Sequence, residues 1–246
     1  MKIIGVIPAR YHSTRFPGKP LRMIREKSMI RRVYEQALKA KCLSGVIVAT
    51  DDDRIFSHVK DFGGHVLMTS TRHQSGTERC GEVLEEQDHE AVDAVINIQG
   101  DEPFIDPGQI DEVGEILAAP GTGIATLVKM IETEKEINDP NVVKAVFDKN
   151  KKALYFSRAP IPYLRSAEPG HWYDQKQHYK HIGIYGYKAD ILRQLIKLPV
   201  AKVEKAESLE QLRWISGGYD IRIGITYYDS ISVDTPGDLS KFTNKP

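Results

Sequence analysis

Four short apolar runs, each followed by a stretch with helical periodicity, set the terms on which this chain can fold. Residues 3–7 (IIGVI), 45–50 (GVIVAT), 66–69 (VLMT) and 94–99 (AVINIQ) each have the length of a buried strand. Between the first two, Ile30, Val33, Tyr34, Ala37 and Leu38 recur at i, i+3, i+4, i+7 and i+8, which predicts a helix over about 29–41. Ile55, Phe56, Val59 and Phe62 share a second helical face that Gly63 and Gly64 end, and a third helix carries Val83 and Leu84. Strands that alternate with helices run parallel and are joined by right-handed crossovers. The fold class expected is α/β, with a mostly parallel central sheet flanked by helices.

From about residue 123 the rhythm changes. Residues 124–128 read as a strand, 142–147 and 153–157 flank the turn-like Asp148-Lys149-Asn150-Lys151, and 181–187 form another strand. Antiparallel pairing and a smaller α+β lobe are expected there. Pro160, Pro162, Pro169 and Gly170 mark a loop-rich passage suited to a lid or a dimer contact. A short helix is expected over 207–216, ended by Gly217 and Gly218, then a strand over 221–226 and a closing helix after Asp234. A single domain over 1–246 follows, divided at about 1–122, 123–220 and 221–246, the last a returning segment.

The chain has 246 residues, 41% of them hydrophobic and 28% charged, as in an ordinary soluble domain. Lys plus Arg and Asp plus Glu both number 34, a balance that argues against a general nucleic-acid binder or a binder of acidic membranes. Cys42 and Cys80 form no CxxC pair or disulfide framework, which fits a reducing cytoplasm. No run approaches the length of a membrane span and no signal-like segment opens the chain, so a cytoplasmic protein is expected.

Positive charge is concentrated locally. Residues 8–21 (PARYHSTRFPGKPL) follow the first apolar run and carry Arg10, Arg15 and Lys19 among Ser13, Thr14 and Gly18, with Pro17 and Pro20 stiffening the backbone. Arginine forks, a lysine point charge and accessible backbone amides suit phosphate oxygens. Gly18-Lys19 is not a P-loop ending, because Ser13 stands where the first glycine belongs and Pro20 where Ser or Thr is needed. Asp101 follows the fourth strand, where ligands of open α/β sheets bind. Asp101 and Asp234 together suit a Mg²⁺ ion shared with phosphates, although helix capping competes for Asp234. Capping explains Asp51-Asp52-Asp53. In residues 72–79 (RHQSGTER), Ser75 and Glu78 have capping-box spacing, while Gln74, Ser75 and Thr77 offer the directional groups that read a base edge.

The segments PARYHSTRFPGKPL, HQSGTER at 73–79, NIQGDEP at 97–103, ALYFSRAPIP at 153–162, HIGIYGY at 181–187, LEQLR at 209–213 and VDTP at 233–236 together resemble the 3-deoxy-manno-octulosonate cytidylyltransferases, the CMP-Kdo synthetases. The first segment alone resembles sugar nucleotidyltransferases more widely, acylneuraminate cytidylyltransferases included, and the later ones are more specific. The resemblance implies a Rossmann-like nucleotidyltransferase fold and transfer of CMP from CTP to the anomeric hydroxyl of Kdo, releasing pyrophosphate, for lipopolysaccharide biosynthesis. It further implies a homodimer built through the second lobe.

The same resemblance implies roles for particular residues. Arg10, Arg15 and Lys19 would hold the triphosphate, with Arg10 and Lys19 facing transition-state charge, and Asp101 and Asp234 would hold Mg²⁺. Pro8, Ala9, Arg72, Gln74, Ser75 and Gly76 would surround the cytosine. Gln99, Arg158, His181, Tyr185, Glu210 and Gln211 would read the sugar acid. Two departures stand out: Glu26-Lys27-Ser28 replaces the usual Gly-Lys-Pro run, and Ser232 replaces a glycine before VDTP. The alternatives are a cytidylyltransferase for 8-amino-Kdo or a neuraminic acid, and a non-catalytic nucleotide-binding regulator. A regulator would be expected to have lost a metal carboxylate, and this sequence keeps both.

Overall fold

Residues 1–12, 16–86, 92–168, 170–229, 232–233 and 235–243 are described in a computed structural model of the chain. Among them the strands are β1 (Ile3–Ala9), β2 (Met23–Ile24), β3 (Lys27–Ser28), β4 (Leu43–Thr50), β5 (Val66–Met68), β6 (Ala94–Asn97), β7 (Ile124–Met130), β8 (Lys144–Phe147), β9 (Ala153–Ser157), β10 (Tyr179–Lys188) and β11 (Ile221–Ile225). The helices are α1 (Met29–Ala37), α2 (Asp53–Asp61), α3 (Gly76–Glu86), α4 (Pro107–Ala118), α5 (Glu134–Asn138), α6 (Ala189–Leu195), α7 (Lys202–Glu207), α8 (Gln211–Ser216) and α9 (Pro236–Thr243).

The main sheet has the order β11-β7-β10-β6-β1-β4-β5, with β8 pairing β10 and β9. The expected parallel register is present: Val6 lies opposite both Ile47 of β4 and Asn97 of β6. Strand β10 runs antiparallel between β6 and β7, and β11 returns parallel to β7. This is a mostly parallel mixed sheet flanked by helices. No helix among the described residues is long and apolar enough to cross a membrane.

Side-chain alternation along the strands builds two cores. Ile3 and Ile7 of β1, Ile96 of β6 and Ile184 of β10 bury with Ile30, Val33, Ile55 and Ile110 on one face. Ile4 and Val6, Val95, and Tyr185 and Tyr187 bury with Cys80, Leu84, Leu192 and Trp214 on the other. Each such Val or Ile contributes about 1.5–3 kcal/mol on leaving water. Cys42 and Cys80 are both free thiols, and burial pushes Cys42 up to about 12 and Cys80 higher still, away from reactivity.

Three local expectations need adjusting. The first long helix ends at Ala37, short of residue 41. The single helix expected over 207–216 is two: Ser208 takes a left-handed φ of 51° at the end of α7, and α8 starts at Gln211. Glu26-Lys27-Ser28, the departure from the family's usual run, lies in a small β2–β3 hairpin whose turn includes Arg25 at φ 55°. Ser28 then caps α1, accepting from the Arg31 amide at 3.4 Å.

Candidate active site

The strand alternation that buries Val6, Val95, Tyr185 and Tyr187 also fixes what stands at the carboxyl ends of β1 and β6. Continuing β1 by twos from Val6 gives Pro8 and Arg10, and continuing β6 by twos from Val95 gives Asn97 and Gln99. The helices that follow β1 and β6, α1 and α4, pack together on the face of Ile30 and Ile110, so on the other face the ends of β1 and β6 look across a crevice to α3 and α8. A cavity of about 300 Å³ occupies it, lined by Pro8, Arg10, Gly76, Thr77, Arg79, Asn97, Gln99, Tyr185, Tyr187, Glu210, Gln211 and Trp214. A second hollow of about 340 Å³ lies against Lys129, Ile131, Tyr173, Tyr179 and Tyr227, and no sequence-predicted site residue lines it.

Close backbone approach shapes the crevice. A Cβ on Gly100 would sit 2.8 Å from the Pro8 carbonyl oxygen, and one on Gly76 3.3 Å from Pro8 Cγ and from Asn97 Nδ2. Glycine at these positions lets the loops after β5 and β6 close on the end of β1. Gln99 ties β6 to β10 by donating from Nε2 to the Gly183 carbonyl at 2.9 Å.

Beside the crevice, Lys19 Nζ lies 2.7 Å from Asp101 Oδ2, with side-chain exposures of 14% and 28%. Lys19 opens a 3-10 turn behind Gly18, which is left-handed at φ 67°. The Val233 amide donates to the Asp101 carbonyl at 2.9 Å, and Val233 is buried with Phe16, Ile24 and Met29. Arg15, Pro169 and Asp234 lie outside the described residues.

The loop before α3 shows how a cap and a site share residues. Ser75 Oγ accepts from the Glu78 amide at 3.2 Å, as capping-box spacing predicts. Glu78 turns instead to the Gln74 amide, at 2.6 Å. Ala9 is buried, Arg72 and Gln74 are exposed, and the Gln74 side chain donates to the Arg72 carbonyl at 3.0 Å. From that loop only Gly76 joins the cavity, with Thr77 and Arg79 behind it on α3. Arg79, 1% exposed, pairs with Asp51 and donates to Thr69 Oγ1 at 2.6 Å.

The sugar-side residues divide. Gln99, Tyr185, Glu210 and Gln211 line the cavity, whereas Arg158 and His181 do not. Arg158 gives its guanidinium to carbonyl oxygens, at 2.7 Å to Glu207 and 2.9 Å to Pro140. The His181 ring packs edge-on to Phe156 and tilted against Tyr185, 3.1 Å from Thr126 Oγ1, and burial holds its pKa down to about 3. Glu210 receives the Thr77 hydroxyl at 2.8 Å; burial raises its pKa, while hydrogen bonds from Thr77 and Ser75 oppose the rise. Among the described residues, Asn97 Oδ1 and Trp214 Nε1 are buried without hydrogen-bond partners around the same cavity, beside the buried Tyr185 and Tyr187 rings. Unsatisfied donors and acceptors at a cavity wall suit a ligand rich in hydroxyls.

Sequence reasoning left out Arg79, Asn97, Tyr187 and Trp214, and it offered Thr77 only as a group that reads a base edge. Alternation from Tyr185 reaches Tyr187, alternation from Gln99 reaches Asn97, and helical spacing from Gln211 reaches Trp214. Arg79 carried no comparable signal, because its partner Asp51 read as part of a helix cap.

The cytidylyltransferase profile matches residues 4–222. A relative from Parabacteroides distasonis, a 3-deoxy-manno-octulosonate cytidylyltransferase, is 50% identical over 245 residues, covering 98% of this chain and 96% of its own. The chain belongs to that family. A solved CMP:2-keto-3-deoxy-manno-octonic acid synthetase complexed with CTP is 42% identical with a TM-score of 0.89, covering 99% of this chain and 97% of that one. A 4-diphosphocytidyl-2C-methyl-D-erythritol synthase from Anaerococcus prevotii is similar in fold alone, with 13% identity and a TM-score of 0.61 over 98% of this chain and 95% of that one. The fold is thus the Rossmann-like fold of nucleotidyltransferases, and the crevice between β1 and β6 is the candidate active site of a cytidylyltransferase.

Proposed function

We propose that the chain transfers CMP from CTP to the anomeric hydroxyl of Kdo, giving CMP-Kdo and pyrophosphate for lipopolysaccharide biosynthesis. The observation that carries this reading is the composition of one cavity: Pro8, Arg10 and Gly76, expected to meet the nucleotide, share it with Gln99, Tyr185, Glu210 and Gln211, expected to meet the sugar acid. A nucleotide and an acceptor held in one crevice meet the positional requirement of in-line transfer. A bond forms between the anomeric oxygen and the α-phosphorus, the bond from that phosphorus to the pyrophosphate oxygen breaks, and the hydroxyl proton leaves to solvent.

In this proposal Arg10 at the cavity rim and Lys19 neutralise the charge that spreads over the phosphate oxygens, with Arg15 adding to the same loop. Ser75, Gly76 and the backbone at Pro8 and Ala9 bound the base, with Arg72 and Gln74 at the outer edge. Asp101 suits a metal, because its Oδ2 already faces a cation, the Lys19 ammonium, at 2.7 Å. Asp101 and Asp234 would hold Mg²⁺, which when bound supplies phosphate neutralisation and lowers the pKa of the attacking hydroxyl. Lys19 then turns from Asp101 to the phosphates. Tyr185, Glu210, Gln211 and Gln99 hydrogen-bond the acceptor's hydroxyls. Arg158 and His181 belong to this sugar-side set as supports, through the Glu207 carbonyl before α8 and the Tyr185 ring. A cytoplasmic homodimer completes the proposal.

The test is pyrophosphate release from CTP, UTP, ATP and GTP with Kdo, 8-amino-Kdo and a neuraminic acid. The reading predicts release with CTP and Kdo above every other pair. Equal or greater release with another acceptor reassigns the substrate.

A further inference from the structure

Thr77 and Glu210 are 133 positions apart, yet the threonine hydroxyl donates to Glu210 Oε2 at 2.8 Å. Thr77 is 3% exposed, in the first turn of α3, on the stripe it shares with Cys80 and Leu84. Packing does not need its oxygen, since valine has nearly the same volume, and burying a hydroxyl is unfavourable unless it is hydrogen-bonded. Glu210, at the N-terminal boundary of α8, makes no side-chain cap to its own helix, so its carboxylate is free to turn toward the cavity. Arg213, the neighbouring cation, is taken: its Nε and a terminal nitrogen hold both oxygens of Glu204 at 2.9 and 2.6 Å. The carboxylate therefore depends on α3 for its orientation.

We infer that Thr77 is a positioning residue for the sugar acid: its hydroxyl orients the Glu210 carboxylate at the cavity wall. This rests on the proposed transfer to Kdo and adds a residue to it. Fixing Oε2 on Thr77, with Ser75 as a second donor, sets the plane of the carboxylate, and a carboxylate held in one place discriminates among polyols by geometry. Thr77→Val keeps the shape and removes the donor, whereas Thr77→Ser keeps the donor and removes a methyl group.

The test is steady-state kinetics of wild type, Thr77→Val, Thr77→Ser and Glu210→Ala with CTP and Kdo, with a thermal melt for each. Thr77→Val is expected to raise the KM for Kdo about tenfold while the KM for CTP moves less than about twofold, and Thr77→Ser to stay within about threefold of wild type. In a Glu210→Ala background, Thr77→Val is expected to add nothing further. Should Thr77→Val not fold, Thr77→Ala takes its place in the same comparisons. An unchanged KM for Kdo, an equal rise in both KM values, a Thr77→Ser as impaired as Thr77→Val, or full additivity with Glu210→Ala would each overturn the inference. Wild type inactive with CTP and Kdo would instead overturn the functional reading beneath it, which the wild-type measurement alone reveals.

Discussion

The Lys19 ammonium and the Asp101 carboxylate, 82 positions apart in sequence, stand 2.7 Å from each other beside the crevice. On the proposed mechanism each is the group the other would release when a triphosphate with its metal arrives. Both side chains are partly exposed, so the pair contributes at most about 1 kcal/mol to folding. Asp101→Asn is therefore expected to lower kcat by about a hundredfold or more while shifting the melting temperature by only a few degrees. Pyrophosphate release and a thermal melt on one preparation check it; kcat within about tenfold of wild type contradicts the role.

Gly100→Ala places a methyl group 2.8 Å from the Pro8 carbonyl, a backbone atom that cannot rotate away. The variant is expected to lose about 1–3 kcal/mol of stability, as overpacked sites do, and to bind CTP more weakly because β1 shifts where Pro8 and Arg10 line the cavity. Gly45→Ala, whose Cβ would meet nothing within 4 Å, is the control and is expected to stay near wild type. Urea unfolding of the three proteins and their KM values for CTP separate these outcomes.

The parallel half of the fold was legible because its strands are apolar runs bounded by turns and its helices keep a clear stripe. The alternation that buries Val6 and Val95 could also have placed Pro8, Arg10, Asn97 and Gln99 on one face, a signal the motif reading did not use. The break at Ser208 was not legible, since a non-glycine residue in a left-handed turn leaves no local signature. Nor was the division of the sugar-side residues. Whether Arg158 faces a ligand or the carbonyls of Glu207 and Pro140 depends on contacts 49 and 18 positions away, which only the folded chain brings together. Thr77 read as a group for a base edge, and its partner at 210 turns it toward the other side of the cavity.

Arg79 is 1% exposed and its charge is balanced by Asp51 at the carboxyl end of β4. Asp51→Asn leaves a buried guanidinium without its counter-charge and is expected to destabilise the fold by about 3–5 kcal/mol. Because Arg79 also lines the cavity, activity of the surviving folded fraction is expected to fall as well. Denaturant midpoints measure the first effect, and a loss below about 1 kcal/mol contradicts it.

His181 gives stability a pH dependence with a definite sign. Burial holds its folded-state pKa at about 3, whereas an unfolded histidine titrates near 6.5, so between these values the unfolded chain binds more protons. Its contribution is fully present above about pH 6.5 and declines as pH falls toward 3. Wild type is expected to lose more stability than His181→Gln between pH 7.5 and 5.5, by about 1 kcal/mol. Equal losses from urea unfolding at the two pH values would show that the His181 ring takes up a proton freely in the folded state.

The measurement that bears most directly on the whole account is mass-spectrometric detection of the sugar nucleotide formed from CTP and Kdo, with pyrophosphate counted in parallel and Mg²⁺ present or chelated. The account predicts CMP-Kdo and pyrophosphate in equal amounts with Mg²⁺, and neither after chelation. Pyrophosphate without CMP-Kdo, or no product at all in the presence of Mg²⁺, would contradict it.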